Sequence, residues 1–206
     1  MIEVLFMGGE EAGPSVPWAL IAADSHLSVG ATPAEVNFPA GTQPGDLVVA
    51  LASPGSEAIK TRFMASGWQH FSEGDQDYLC AARYAPGLAL PRWEKSASNT
   101  LGLAVMTFRA QGWSRLQLES HISPAQPVNV STRAPNELLI SIGITPRSTQ
   151  AWIGHMTGAP QSSVVSVASE PALQVYWSNV TMPKTITDIY VDAPSGVERN
   201  LILSAY

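Results

Sequence analysis

The sequence predicts an all-β protein, an antiparallel β-sandwich of jelly-roll character with an extended N-terminal arm. Three observations carry that reading. Sixteen glycines and sixteen prolines are spread through 206 residues, which leaves little room for an uninterrupted helical period. Between them run short apolar or alternating segments of strand length, bounded by turn residues. Apolar residues make up 45% of the chain and charged residues 14%, enough to fill a sizeable core and unlike a disordered chain. Many short strands of this kind close as a sandwich.

The elements follow in order. Gly8-Gly9, Gly13-Pro14 and Pro17 break up the short apolar run Val4, Leu5, Phe6 and Met7. Residues 1–20 are therefore expected to form an extended arm, with Val4 to Met7 as an anchor into another subunit. Residues 21–206 are expected to form a single sandwich domain. Strands are expected near Leu20–Asp24, Asp46–Ala52, Tyr78–Tyr84, Leu101–Phe108 and Leu116–Ser120, then near Glu137–Thr145, Val164–Ala168, Leu173–Ser178, Thr185–Val191 and Asn200–Ala205.

Periodicity assigns faces. A period of two puts Tyr78, Cys80, Ala82 and Tyr84 on one side of their strand and Arg83 on the other. Leu138, Ile140, Ile142 and Ile144 point one way, while Ser141, Gly143 and Thr145 point the other, the pattern of a sheet with one wet face. Leu101–Phe108 is apolar on both sides, so that strand should be central and covered twice. An internal echo is also present. Pro44-Gly45-Asp46-Leu47-Val48-Val49 is similar to Pro135-Asn136-Glu137-Leu138-Leu139-Ile140, 91 residues later, with Tyr84 and Tyr176 at comparable distances beyond. This suits a sandwich built from two similar sets of strands.

Composition excludes several functions. Eleven basic and seventeen acidic side chains give a net charge of −6 and a pI near 5.1, which argues against a nucleic-acid partner. No apolar run approaches the roughly 18 residues of a membrane span, and Met1-Ile2-Glu3-Val4 lacks the basic start of a signal peptide. The lone Cys80 excludes an internal disulfide framework and reads as a small buried residue. The four histidines lie far apart and no metal-ligand spacing occurs, so no metal or cofactor is expected.

Catalytic patterns fare no better. Asp75 and Asp77 open like a calcium loop, but the twelfth position is Pro86, and a hairpin turn fits better. Asp24, Ser25 and His26 are triad residue types, yet neighbours on a strand face opposite ways. Glu57, Glu73, Glu94 and Glu119 could in principle supply a carboxylate pair, but they lie in or near apparent loops. No catalytic residue is assigned. Of the six tryptophans, Trp152 stands out within a long segment, Pro146 to Met156, that has few core partners. Trp152, His155 and Met156 are read there as a contact site for a partner subunit or a glycan.

One stretch carries a resemblance. Phe38-Pro39-Ala40-Gly41, Gly45-Asp46-Leu47-Val48-Val49, Ser66-Gly67-Trp68, Tyr84 and Val105-Met106-Thr107-Phe108-Arg109 together resemble a β-sandwich module of virion proteins in tailed bacteriophages and phage-like particles. The resemblance covers residues 36 to 110, with a weaker echo beyond. Ala110 stands where that family often has glycine, and no glycine-rich shaft follows. The resemblance implies a non-enzymatic virion subunit of a tail tip, fibre, head spike or capsid decoration. It would be assembled in the bacterial cytoplasm as a homo-oligomer, a trimer being favoured, alongside other virion proteins, with host attachment through surface polysaccharide as a further role. Two other readings remain, a carbohydrate-binding module and a glycan-degrading enzyme. In the motif itself, Asp46 should bind backbone amides of the turn before its strand, Gly67 should take a positive φ, and Trp68 should cap one end of the core.

Overall fold

A computed structural model describes residues 12–29, 33–54, 61–73, 76–95, 100–122, 127–145, 153–167, 172–192 and 199–206. These residues are all-β, with sixteen strands and no helix among them. The first eight are β1 (Ala19–Ser28), β2 (Ala34–Glu35), β3 (Leu47–Pro54), β4 (Thr61–Phe63), β5 (Gln69–Glu73), β6 (Gln76–Arg83), β7 (Arg92–Lys95) and β8 (Leu101–Arg109). The next eight are β9 (Leu116–Ile122), β10 (Val128–Ser131), β11 (Glu137–Thr145), β12 (Ile153–Thr157), β13 (Ser162–Val167), β14 (Ala172–Val180), β15 (Thr185–Asp192) and β16 (Arg199–Ala205).

The strand orders reveal a duplication. The first eight strands form one sheet ordered β1-β8-β3-β6-β5 and another ordered β2-β7-β4. The second eight form β9-β16-β11-β14-β13 and β10-β15-β12. Adding eight to every strand number turns the first pair of sheets into the second. Register agrees, since Leu47 sits opposite Phe108 and Arg83, as Leu138 sits opposite Ala205 and Asn179. The echo in the sequence is thus a repeated unit. Its tyrosine match needs correction: the position in the second unit equivalent to Tyr84 is Val180, because β6 and β14 are offset by 96 residues, and Tyr176 is equivalent to Cys80.

Side-chain alternation stacks four layers. Leu47, Val49 and Leu51 of β3 and Met106 and Phe108 of β8 face Leu138, Ile140 and Ile142 of β11 and Leu201 and Leu203 of β16 in a central core. The two five-stranded sheets therefore pack on each other. On its outer face the first large sheet presents Val48, Ala50, Cys80, Leu103 and Val105 to Phe63 and Trp93 of its small sheet. The second presents Leu139 and Ile202 to Val130, Met156, Ile186 and Ile189. Each fully buried Leu, Ile, Val or Phe contributes about 1.5–3 kcal/mol, and the shared core makes the units depend on each other.

Two face assignments change. The second face of β11 is dry, because the small sheet covers it: Ser141 and Thr145 are buried, and Ser141 Oγ hydrogen-bonds Asn200 Oδ1 at 3.3 Å. Leu101–Arg109 is covered on both faces as expected, with only Arg109 partly exposed. On β6, Tyr78 lies in the central core while Cys80 and Ala82 lie in the outer one. The cause is a register shift between β5 and β6, where Phe71 pairs with Leu79 but Ser72 pairs with Asp77.

The described part of the expected arm is hydrogen-bonded to the rest of the chain. Ser15 N donates to the Gln111 carbonyl at 3.0 Å, Trp18 N to Asn179 Oδ1 at 2.9 Å, and Asn136 Nδ2 to the Pro14 carbonyl at 3.0 Å. Residues 14–18 thus bridge both units. Val4, Leu5, Phe6 and Met7 lie outside the described residues.

Candidate functional site at the seam between the units

The motif residues build a framework. Gln43 N donates to Asp46 Oδ2 at 2.7 Å, the turn cap expected from the sequence. Arg109, one residue past the Leu47–Phe108 pair, reaches across with Nε to Asp46 Oδ1 at 2.7 Å and Nη2 to Oδ2 at 2.8 Å. That bidentate geometry ties the start of β3 to the end of β8. Tyr84 N donates to the Asp46 carbonyl and Gly45 N to the Tyr84 carbonyl. Gly67 adopts a φ of +85°, and Trp68 Nε1 donates to the Ala89 carbonyl at 2.9 Å beside Phe38 and Phe63. The Asp46 and Gly67 expectations hold, and Trp68 is buried in the outer core of its unit.

Trp113, in the segment joining the units, organises the seam. Its indole is buried, packs 5.7 Å from Trp18, and donates from Nε1 to the Gly45 carbonyl at 2.9 Å. The Arg83 guanidinium lies 4.0 Å above its ring, and Arg83 Nη2 donates to the Trp113 carbonyl. Two hollows flank this stack. One of about 270 Å³ is bordered by Gly67, Gln69, Ala81, Arg83, Ser114 and Leu116. The other, of about 360 Å³, is bordered by Gln43, Asp46, Arg83, Arg109, Gln111 and Trp113. These residues come from distant stretches, which is why sequence reading passed over Arg83 and Trp113 as a pair.

A second ionic group holds the second unit. Glu137, 91 residues after Asp46, repeats the cap: Arg133 N and Ala134 N donate to Glu137 Oε2 at 2.5 and 3.2 Å. The cation is Arg133, which grips Glu119 at 2.6 and 3.0 Å and stands 3.7 Å from Glu137. Burial pushes the Glu137 carboxyl above the ordinary range, against the downward pull of those amides and of Arg133. Glu119 is a correction to the loop reading: it sits on β9, its carboxylate mostly buried and bonded by Ser204 Oγ. Glu94 is exposed on β7, Glu57 lies outside the described residues, and only the backbone of Glu73 is described.

The expected contact site divides. His155 lies on β12, half-buried, its ring stacked 4.2 Å from its register partner Tyr190. Met156 is 5% exposed and belongs to the core beneath the small sheet. Trp152 lies outside the described residues. Asp24, Ser25 and His26 follow one another along β1, where Asp24 Oδ1 accepts from Ser25 N at 2.8 Å. Asp75 lies outside the described residues, and Asp77 accepts from Phe63 N at 2.7 Å between β6 and β4. Among the described residues, no group of three His, Cys, Asp or Glu side chains is placed to hold a metal ion.

No family model, curated protein or solved structure matches this chain.

Proposed function

We propose that the protein is a non-catalytic structural subunit of a tailed-phage or phage-like virion, at a tail tip, fibre, head spike or capsid decoration. One observation carries the reading. The residues that produce the resemblance to the virion module, namely Asp46, Gly67, Trp68, Tyr84 and Arg109, are spent on tying strands together. Their chemistry is that of a scaffold. The doubled architecture supports the same reading. In each unit the first strand lies beside the eighth and the second beside the seventh, so we infer two jelly rolls in tandem, a fold that serves capsid and lectin domains among others. Assembly would proceed in the bacterial cytoplasm into a homo-oligomer, a trimer being favoured, in contact with other virion proteins.

The test is immunogold electron microscopy with antibody against the recombinant chain, on particles from the source culture. Gold at the tail or over the head supports the reading and separates attachment from decoration. Intact and denatured particles that both stay unlabelled would refute it, as denaturation exposes buried epitopes. Light scattering behind size exclusion checks the oligomer, with a mass three times 21.9 kDa expected for the trimer.

A further inference from the structure

The duplication supplies an internal comparison at the seam. Gln69 pairs with Ala81 across β5 and β6, and Ser162 pairs with Trp177 across β13 and β14. Ala81 and Trp177 therefore occupy one station in the two units, as do Arg83 and Asn179. A hollow lies at each. In the first unit it measures about 270 Å³ and is bordered by Gly67, Gln69, Ala81 and Arg83. In the second it shrinks to about 170 Å³ and is bordered by Pro160, Ser162, Trp177 and Asn179. The Trp177 indole, packed 5.5 Å from Phe108, takes up space that Ala81 leaves open. The repeat framework is kept while the hollow is roomy and cationic in one copy, cramped and neutral in the other.

The lining of the open hollow points to a ligand class. Arg83 is exposed and has no carboxylate partner among the described residues. Its neighbour Arg109 is held by Asp46, so Arg83 supplies the uncompensated positive charge. Gln69 and Ser114 border the hollow beside an apolar floor of Ala81, in the central core, and Leu116, packed against that core. A guanidinium fork matches a carboxylate, amide and hydroxyl groups match ring hydroxyls, and the apolar floor matches a sugar's C–H face. We infer that this hollow binds a carboxylate-bearing sugar, a uronic acid unit of an acidic oligosaccharide, with the adjoining 360 Å³ hollow receiving the next unit.

The experiment is a calorimetric titration of the full chain with trigalacturonic acid, with maltotriose and inorganic sulfate as parallel probes. Saturable binding of the acidic trisaccharide alone is expected. Arg83→Gln, which removes the charge and leaves a neutral amide, and Ala81→Trp, which copies the second unit, should each weaken it about tenfold or more. Ser162→Ala in the mate hollow should leave it unchanged. If circular dichroism shows that Ala81→Trp fails to fold, Arg83→Gln decides. Equal binding of sulfate, equal binding of maltotriose, no saturable heat, or wild-type affinity in Arg83→Gln would each overturn the inference. This test reads binding by the isolated chain, so it fails or succeeds independently of particle labelling.

Discussion

Glu137 offers the sharpest test of how the second unit is held. Its carboxylate is fully buried and supplies the acceptor for two backbone donors, Arg133 N and Ala134 N. Glu137→Ala removes that acceptor. A buried donor left unpaired costs about 1–3 kcal/mol. Ala134 is 0% exposed and bears the full penalty, whereas the half-buried Arg133 recovers part of its own from water. The expected loss is about 2–3 kcal/mol, which at a urea m-value near 2 kcal/mol/M lowers the midpoint by roughly 1 M. Glu137→Gln keeps an acceptor oxygen and should cost far less. It also isolates the charge. Burial raises the folded-state pKa of Glu137, so the folded protein holds this proton to higher pH than the unfolded chain does. That stabilisation is complete below the ordinary carboxylate value and is lost as pH rises through the folded value. Urea midpoints measured from pH 4.5 upward should therefore fall more steeply for the wild type than for Glu137→Gln. Parallel pH profiles, or a Glu137→Ala midpoint equal to that of the wild type, would refute the argument.

Two further outcomes follow from packing. A Cβ on Gly154 would sit 2.4 Å from ring carbons of Tyr176, so Gly154→Ala must push β12 away from β14 at about 1–3 kcal/mol, a fall in Tm of roughly 3–10 °C; an unchanged melting curve would show that the ring yields freely. Cys80 is fully buried, and burial together with the nearby Asp77 charge pushes its thiol well above the ordinary range; the native protein should ignore a disulfide reagent at pH 8 and react with one equivalent in urea, and prompt native labelling would contradict this.

Legibility in the sequence tracked strand length and burial. All ten expected strands exist, and they include every member of the two large sheets except β5. Long apolar runs such as Leu101–Arg109 declare themselves because both faces must be covered. The overlooked strands β2, β4, β5, β7, β10 and β12 are two to five residues long. Segments that short barely complete one period of alternation, and Arg92–Lys95 places a buried Trp93 between charged residues. Missing those small sheets is also why Ser141 and Thr145 read as wet. The seam was illegible for another reason. Arg83 and Trp113 meet through a stack across 30 residues of chain, and neither carries a local motif.

Comparison of the units shows which part of the latch the fold requires. Asp46 and Glu137 share the station where their strands begin, Asp46 accepting one amide of the preceding turn and Glu137 two. The cation is negotiable. In the first unit it comes from Arg109, just past Phe108. The matching position past Ala205 is Tyr206, and here the charge comes from Arg133 in the turn itself, its guanidinium 5.7 Å from the Tyr206 ring. Glutamate is one methylene longer than aspartate, and its second oxygen lies near Arg133 while Arg133 also holds Glu119 of β9. The acceptor recurs because each turn directs backbone N–H groups at that carboxylate, and in the second unit the Ala134 amide is buried and must be paired. The counter-charge only has to lie within reach of the carboxylate, so it can move from strand to turn when the neighbouring side chain changes. The same freedom lets Arg83 and Asn179 differ at one station, each binding backbone from the segment ahead of the other unit's first strand.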